Sequence, residues 1–204
     1  MIPSCNIFLV GLMGSGKTTV GKILARHRGL TFFDSDHEIV ERCGVSIPTI
    51  FEIETEAGFR RRETCVINEL SQQHGIVLAT GGGAILAPEN RVHLKSRGTV
   101  VYLRCQPKEL FMRTRHDKNR PLLQTDDPLK KLKELYSARH ALYMETADIV
   151  LDSGRQSAHA LVRRLESNLA LAAIGSSKGL SMSKLDIPDC TGGRAVALPA
   201  ACRE

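Results

Sequence analysis

Short runs of consecutive apolar residues alternate along this chain with longer stretches of helical period. Residues 6–10, 30–33, 76–79, 100–103 and 149–151 are near-continuously apolar, the pattern of strands buried on both faces of a parallel sheet rather than of half-exposed strands. Between them apolar positions return every three or four residues, as at Leu161, Val162, Leu165 and Leu169. A βαβα order of this kind predicts a doubly wound, three-layer α/β/α domain.

Three segments interrupt the alternation. Residues 36–73 are too many for a single crossover helix and suggest a small substrate-binding region. Residues 115–126 are charged and poor in core formers, the composition of a mobile lid, after which Asp127 and Pro128 supply an N-cap and a first-turn proline for the next helix. From about residue 171, Gly, Ser, Pro and short polar runs replace periodicity. The chain is therefore expected to divide into a domain over 1–170 and an extension over 171–204, disordered or loosely docked.

Composition narrows the class. At 204 residues, with 42% hydrophobic and 25% charged positions, the length suits one α/β domain. The formal charge of +6 favours anionic partners, among them nucleotides, carboxylates and nucleic acid. Six cysteines are scattered without a C-x-x-C pair, as expected of reduced thiols in a cytoplasmic protein. The N-terminus shows neither a basic region nor a long apolar stretch, so no signal peptide and no membrane span are expected.

The clearest chemistry lies after the first apolar run. Gly11-Leu-Met-Gly14-Ser15-Gly16-Lys17-Thr18 satisfies G-x-x-x-x-G-K-[ST], placed between a strand and a helix as that motif requires. Glycines let backbone N–H groups converge on phosphate oxygens at a positive helix end. Lys17 neutralises β/γ-phosphates and Thr18 offers its hydroxyl to Mg2+. The spacing G-x-G-x-x-G of dinucleotide folds is not matched. The loop predicts a nucleoside triphosphate.

The phosphate acceptor is less directly written. The second strand ends in Asp34-Ser35-Asp36; one carboxylate can hold Mg2+ through water while the other accepts a hydroxyl proton, or the cluster can simply cap a helix. The residues alone favour neither reading. The third strand ends in Thr80-Gly81-Gly82-Gly83 where a motor ATPase carries an acid, leaving bare backbone that a ligand can approach. Most of the 28 basic residues are arginine, including Arg60, Arg120 and Arg139, and planar guanidiniums suit carboxylate and phosphate.

From about Cys5 to Ala170 these motifs, in this order, resemble the shikimate kinases: Gly-Leu-Met-Gly-Ser-Gly-Lys-Thr-Thr, Phe-Phe-Asp-Ser-Asp, Phe-Arg-Arg-Arg-Glu, Thr-Gly-Gly-Gly, Arg-Pro-Leu-Leu and Arg-His-Ala-Leu-Tyr. The resemblance implies a P-loop fold with a five-stranded parallel sheet in the order 2-3-1-4-5, and ATP-dependent phosphorylation of the 3-hydroxyl of shikimate. It implies that Gly14, Ser15, Gly16, Lys17, Thr18 and Thr19 bind phosphate, with Thr18 and Asp34 supporting Mg2+. Asp36 would bind the acceptor hydroxyls and act as base. Arg60 and Arg139 would clamp its carboxylate beside Gly81, Gly82 and Gly83, with Glu63 orienting Arg60. Arg120 would be the lid cation, and Arg113 with Arg155 and Gln156 would flank adenine. A monomer with ATP and Mg2+ as cofactors and no nucleic-acid or membrane partner is expected. The rivals are a P-loop kinase for gluconate or a nucleoside monophosphate, and a nucleic-acid-binding ATPase; for the latter the chain lacks both an acid after the third strand and an aromatic stacking set.

Overall fold

The apolar runs become five strands, all parallel: β1 Asn6–Val10, β2 Thr31–Asp34, β3 Ile76–Ala79, β4 Gly98–Arg104 and β5 Ile149–Asp152. Their order is β2-β3-β1-β4-β5, as expected. The computed structural model describes residues 6–115, 123 and 125–177, with side chains through 171. Among the described residues, seven α-helices connect and cover the sheet, with a short 3-10 turn at Ala84–Leu86: α1 Lys17–Arg28, α2 Ser35–Cys43, α3 Ile47–Ser71, α4 Pro88–Arg97, α5 Pro107–Thr114, α6 Pro128–Thr146 and α7 Ala158–Ser177.

Continuity of the β1, β3 and β4 runs follows from burial on two faces, whereas β2 and β5, at the edges of the sheet, are only partly buried, contrary to expectation. Ile7 and Leu9 of β1, Val77 of β3 and Val101 and Leu103 of β4 pack with Val20 and Leu24 of α1 and Leu161, Val162 and Leu165 of α7. Their neighbours Phe8, Val10, Leu78, Val100 and Tyr102 face the opposite core, with Ile67 and Leu70 of α3, Leu94 of α4 and Leu132 and Tyr143 of α6. Alternate residues thus serve two cores. Strand β4 extends beyond its apolar stretch because its charged end is paired: Arg104 sits opposite Asp152 of β5 and donates to both its carboxylate oxygens at 2.6 and 2.9 Å.

The region 36–73 resolves into α2 and α3. Gly44 ends α2 in the left-handed conformation, and Ser46 caps α3. Helix α3 is broken at Thr55 (φ 65°, ψ 177°), the only non-glycine with positive φ among the described residues. Asp127 caps α6 by accepting from the Lys130 N–H at 2.9 Å, with Pro128 in the first turn. Helix α7 continues to Ser177, past the point where periodicity fades, because Leu171-Ala-Ala-Ile keeps high helix propensity after the apolar face ends. One compact unit extends to Leu169 and a second begins at Ala170. Arg120 and most of the 115–126 segment, the chain beyond residue 177, and Cys5, Cys190 and Cys202 lie outside the described residues; Cys43, Cys65 and Cys105 are free thiols.

Candidate active site

Each strand's C-terminal end delivers one part of the site, on the edge of the sheet where α/β folds bind ligands. The end of β1 leads into the glycine loop. Gly14 (φ 78°) and Gly16 (φ 98°) both take left-handed backbone, and Gly16 is the N-cap of α1 without any side-chain cap. The first turn of α1 carries no acidic residue, so its N–H groups and positive end are left for an anion. Ser15, 1% exposed, has a hydroxyl oxygen without a hydrogen-bond partner. Lys17 donates its ammonium to the carbonyls of Gly11 and Leu12 at 2.8 and 3.0 Å. The ammonium is thereby held inside the loop, where triphosphate oxygens would be the better acceptors.

Asp34 caps α2, as one of the two readings of the acidic pair expects, and its second oxygen is turned to the phosphate loop. Oδ1 accepts from the Asp36 N–H at 3.1 Å and caps α2, while Oδ2 accepts from the Thr18 hydroxyl at 2.8 Å. One carboxylate oxygen and one hydroxyl therefore converge beside the phosphate loop, a donor pair that suits Mg2+ completed by phosphate and water. Among the described residues no group of three or more His, Cys, Asp or Glu gathers as a self-sufficient metal cage.

The β3 end carries the glycine triplet, and its glycines are there for close packing. None of the three has positive φ. A Cβ on Gly81 would come within 2.6 Å of Asp36 Oδ1 and collide with Glu63, and one on Gly83 would overlap the Arg60 guanidinium. The Gly81 N–H donates to Ser35 Oγ at 2.9 Å. The Gly82 carbonyl accepts from Arg139 Nη1 at 3.1 Å and from the Tyr143 hydroxyl at 2.6 Å. The turn thus gathers Asp36 from α2, Arg60 and Glu63 from α3, and Arg139 and Tyr143 from α6.

Electrostatics in this cluster are finely opposed. Arg60 Nη1 donates to Glu63 Oε2 at 2.7 Å, and Glu63 is 1% exposed. Burial pushes the Glu63 carboxyl up to about 7, against the pull of Arg60 and with a further push from Asp36. Burial also works against the charge on Arg60, but Glu63 and Glu56 outweigh it and hold the guanidinium above its ordinary value. Burial likewise raises the Tyr143 hydroxyl, so it stays a donor throughout the neutral range. Tyr143 is stacked on Tyr102, ring centres 4.7 Å apart.

A cavity of about 640 Å3 joins these parts. It is lined by Gly14, Ser15, Gly16, Lys17, Thr18 and Thr19, by Asp34, Asp36 and Gly82, and by Arg113 and Gln156 at the other end. Arg155, exposed in the same loop as Gln156, is not part of the lining. Arg113 ties the ends together by donating to the Gly14 carbonyl at 3.2 Å and to the carbonyls of Ser153 and Gly154. Arg60, Glu63 and Arg139 lie behind the cavity, linked to it through the glycine turn. Reading the sequence by itself missed Tyr143, although its spacing of four from Arg139 puts both on one helix face. It also gave no role to Ser35, in the middle of Asp34-Ser35-Asp36, or to Glu56, one turn before Arg60.

Comparison with known proteins identifies the family. The family model for shikimate kinase matches residues 13–170. The shikimate kinase of Thiobacillus denitrificans is 61% identical over 81% of this chain and 91% of its own length, and that of Ralstonia nicotianae 57% identical over 83% and 89%. Among solved structures, shikimate kinase from Acinetobacter baumannii in complex with shikimate is 49% identical, with a TM-score of 0.79 over 85% of this chain and 94% of that one. The chain belongs to the shikimate kinase family.

Proposed function

We propose that this chain transfers the γ-phosphate of ATP to the 3-hydroxyl of shikimate, giving shikimate 3-phosphate and ADP on the route to chorismate and the aromatic amino acids. The observation that carries the choice of acceptor is the cluster behind the glycine turn. Asp36, suited to a hydroxyl, and two arginines, suited to a carboxylate, meet within one packed group beside the phosphate loop.

Phosphoryl transfer asks for alignment and charge neutralisation more than for covalent chemistry. The α1 N-terminus, Ser15 and Lys17 would take the phosphates, with the Lys17 ammonium exchanging loop carbonyls for phosphate oxygens. Mg2+, held through Thr18 and Asp34, would neutralise charge on the β- and γ-phosphates. Asp36 would accept the hydroxyl proton. Arg60 and Arg139 would hold the carboxylate, positioned by Glu63 and by the Gly82 carbonyl. Arg113 and Gln156 would flank the base, with Arg155 in the same loop. Arg120, assigned from sequence alone, would supply the cation over the transferring group from a lid over 115–126.

We further propose residues 36–73 as the acceptor-binding region, 171–204 as an extension outside the catalytic domain, and a monomer acting in the cytoplasm without nucleic-acid or membrane partners. Among the described residues no helix is long and apolar enough to cross a membrane. ADP release measured with shikimate, gluconate, nucleoside monophosphates and DNA as alternative stimulants tests the reading. Stimulation by shikimate alone is expected, and equal stimulation by gluconate or a nucleotide would reject it.

A further inference from the structure

Arg60 is held by two glutamates of unlike character. On its inner side Nη1 donates to Glu63, which is 1% exposed and cannot turn to water. On its outer side Nη2 and Nε both donate to Glu56 Oε1, at 2.9 and 3.3 Å, and Glu56 is 53% exposed. Gly83 packs so tightly against the Nη1/Nη2 end that a Cβ there would overlap both nitrogens. The Nε/Nη2 edge is held by Glu56, the more exposed of the two partners, so a carboxylate of the chain already occupies the outer side of the fork. A planar guanidinium offers each edge to one carboxylate at a time.

Glu56 is also placed to let go. It is the first residue after the break at Thr55, so it sits at the start of the continuing helix, four residues before Arg60. Exposed pairs of this spacing are cheap to separate, whereas breaking the buried Arg60–Glu63 pair strands a charge. Charge works in the same direction: with Glu56 present, Arg60 and Arg139 are answered by Glu56, Glu63 and Asp36, which weakens the field that would draw in an anionic acceptor.

We infer that Glu56 is an in-chain competitor for the acceptor's carboxylate at Arg60, displaced when shikimate binds, and that it sets acceptor affinity. The inference rests on Arg60 being the carboxylate clamp of the proposed function. Glu56 makes no contact with the phosphate loop in this picture, so its effect falls on the acceptor and not on the nucleotide.

The test is steady-state kinetics and shikimate titration calorimetry on Glu56→Gln, Arg60→Ala and the double variant. Glu56→Gln is expected to tighten shikimate binding and lower its KM by about two- to fivefold, the range of an exposed ion pair, with the ATP KM unmoved. In the Arg60→Ala background the same change should do nothing. A shikimate KM that rises or stays the same in Glu56→Gln would overturn the inference, because a helix-stabilising or aligning role for Glu56 predicts those results. If Arg60→Ala left shikimate binding intact, the clamp itself would be wrong, a separate failure visible in a separate variant.

Discussion

The phosphate end and the acceptor end of this site are made of different material. On the proposed reading, residues 11–19 would form the phosphate end as one short stretch, offering mainly main-chain N–H groups set by glycine geometry and by the start of α1. At the acceptor end Asp36, Arg60, Glu63, Arg139 and Tyr143 come from three helices and meet around a turn whose glycines let them approach. A backbone cradle recognises a shape common to all nucleoside triphosphates. A side-chain cluster recognises one molecule, and it carries buried charge that must be balanced within the protein.

The contrast can be broken in four ways, from large effect to small. Lys17 is the one side-chain cation of the phosphate loop, so Lys17→Ala should cut kcat by about 10²–10³-fold, as loss of a charge-stabilising donor does elsewhere. Shikimate affinity measured by calorimetry should stay near its starting value, and a parallel loss there would show that the two ends are not separate.

The buried carboxyl of Glu63 gives the acceptor end a pH signature that the backbone end lacks. Its folded-state value, about 7, lies above that of a free glutamate. The folded state thus binds the extra proton between roughly pH 4.5 and 7, and stability from this group is full below that window and lost as pH rises through about 7. The loss should be on the order of 1–3 kcal/mol. Thermal melts from pH 5.5 to 8.5 should show the decline in the native protein and a flatter profile in Glu63→Gln. Equal slopes would mean that Glu63 is ionised throughout.

Tyr143→Phe keeps the stacking on Tyr102 and removes one donor from the Gly82 carbonyl, which retains Arg139. A destabilisation of about 1 kcal/mol in denaturant unfolding is expected, and no change would make the hydroxyl idle. The smallest effect concerns the break in α3. Thr55 occupies a backbone region that favours glycine, so Thr55→Gly should raise stability by up to about 1 kcal/mol, after the entropic cost of glycine is deducted. A loss on that substitution would show that the threonine side chain, and not strain, dominates there.

Legibility followed the same divide. The sheet could be read because a doubly buried strand must be apolar at every position, and β1 and β3 begin and end where their apolar runs do. The phosphate loop could be read because its ligands are contiguous. Asp36, Arg60 and Arg139 were identifiable as a set only through resemblance, because nothing in local spacing states that α2, α3 and α6 meet at Gly81–Gly83. Periodicity was silent on the break at Thr55 and on the pairing of Arg104 with Asp152, since both depend on partners distant in the fold or on backbone geometry. Tyr143 was hidden because a tyrosine on a helix reads as core, and its ring is indeed core while its hydroxyl reaches the turn.

The central claim is that side chains around the glycine turn select the acceptor through its carboxylate while the loop holds the nucleotide independently. Initial rates with shikimate and with its methyl ester, each titrated at fixed ATP and then with ATP varied, address it most directly. The ester should show a KM higher by about 10²-fold, the cost of leaving a charged partner unanswered, with the ATP KM unchanged. Equal KM values for acid and ester would contradict it.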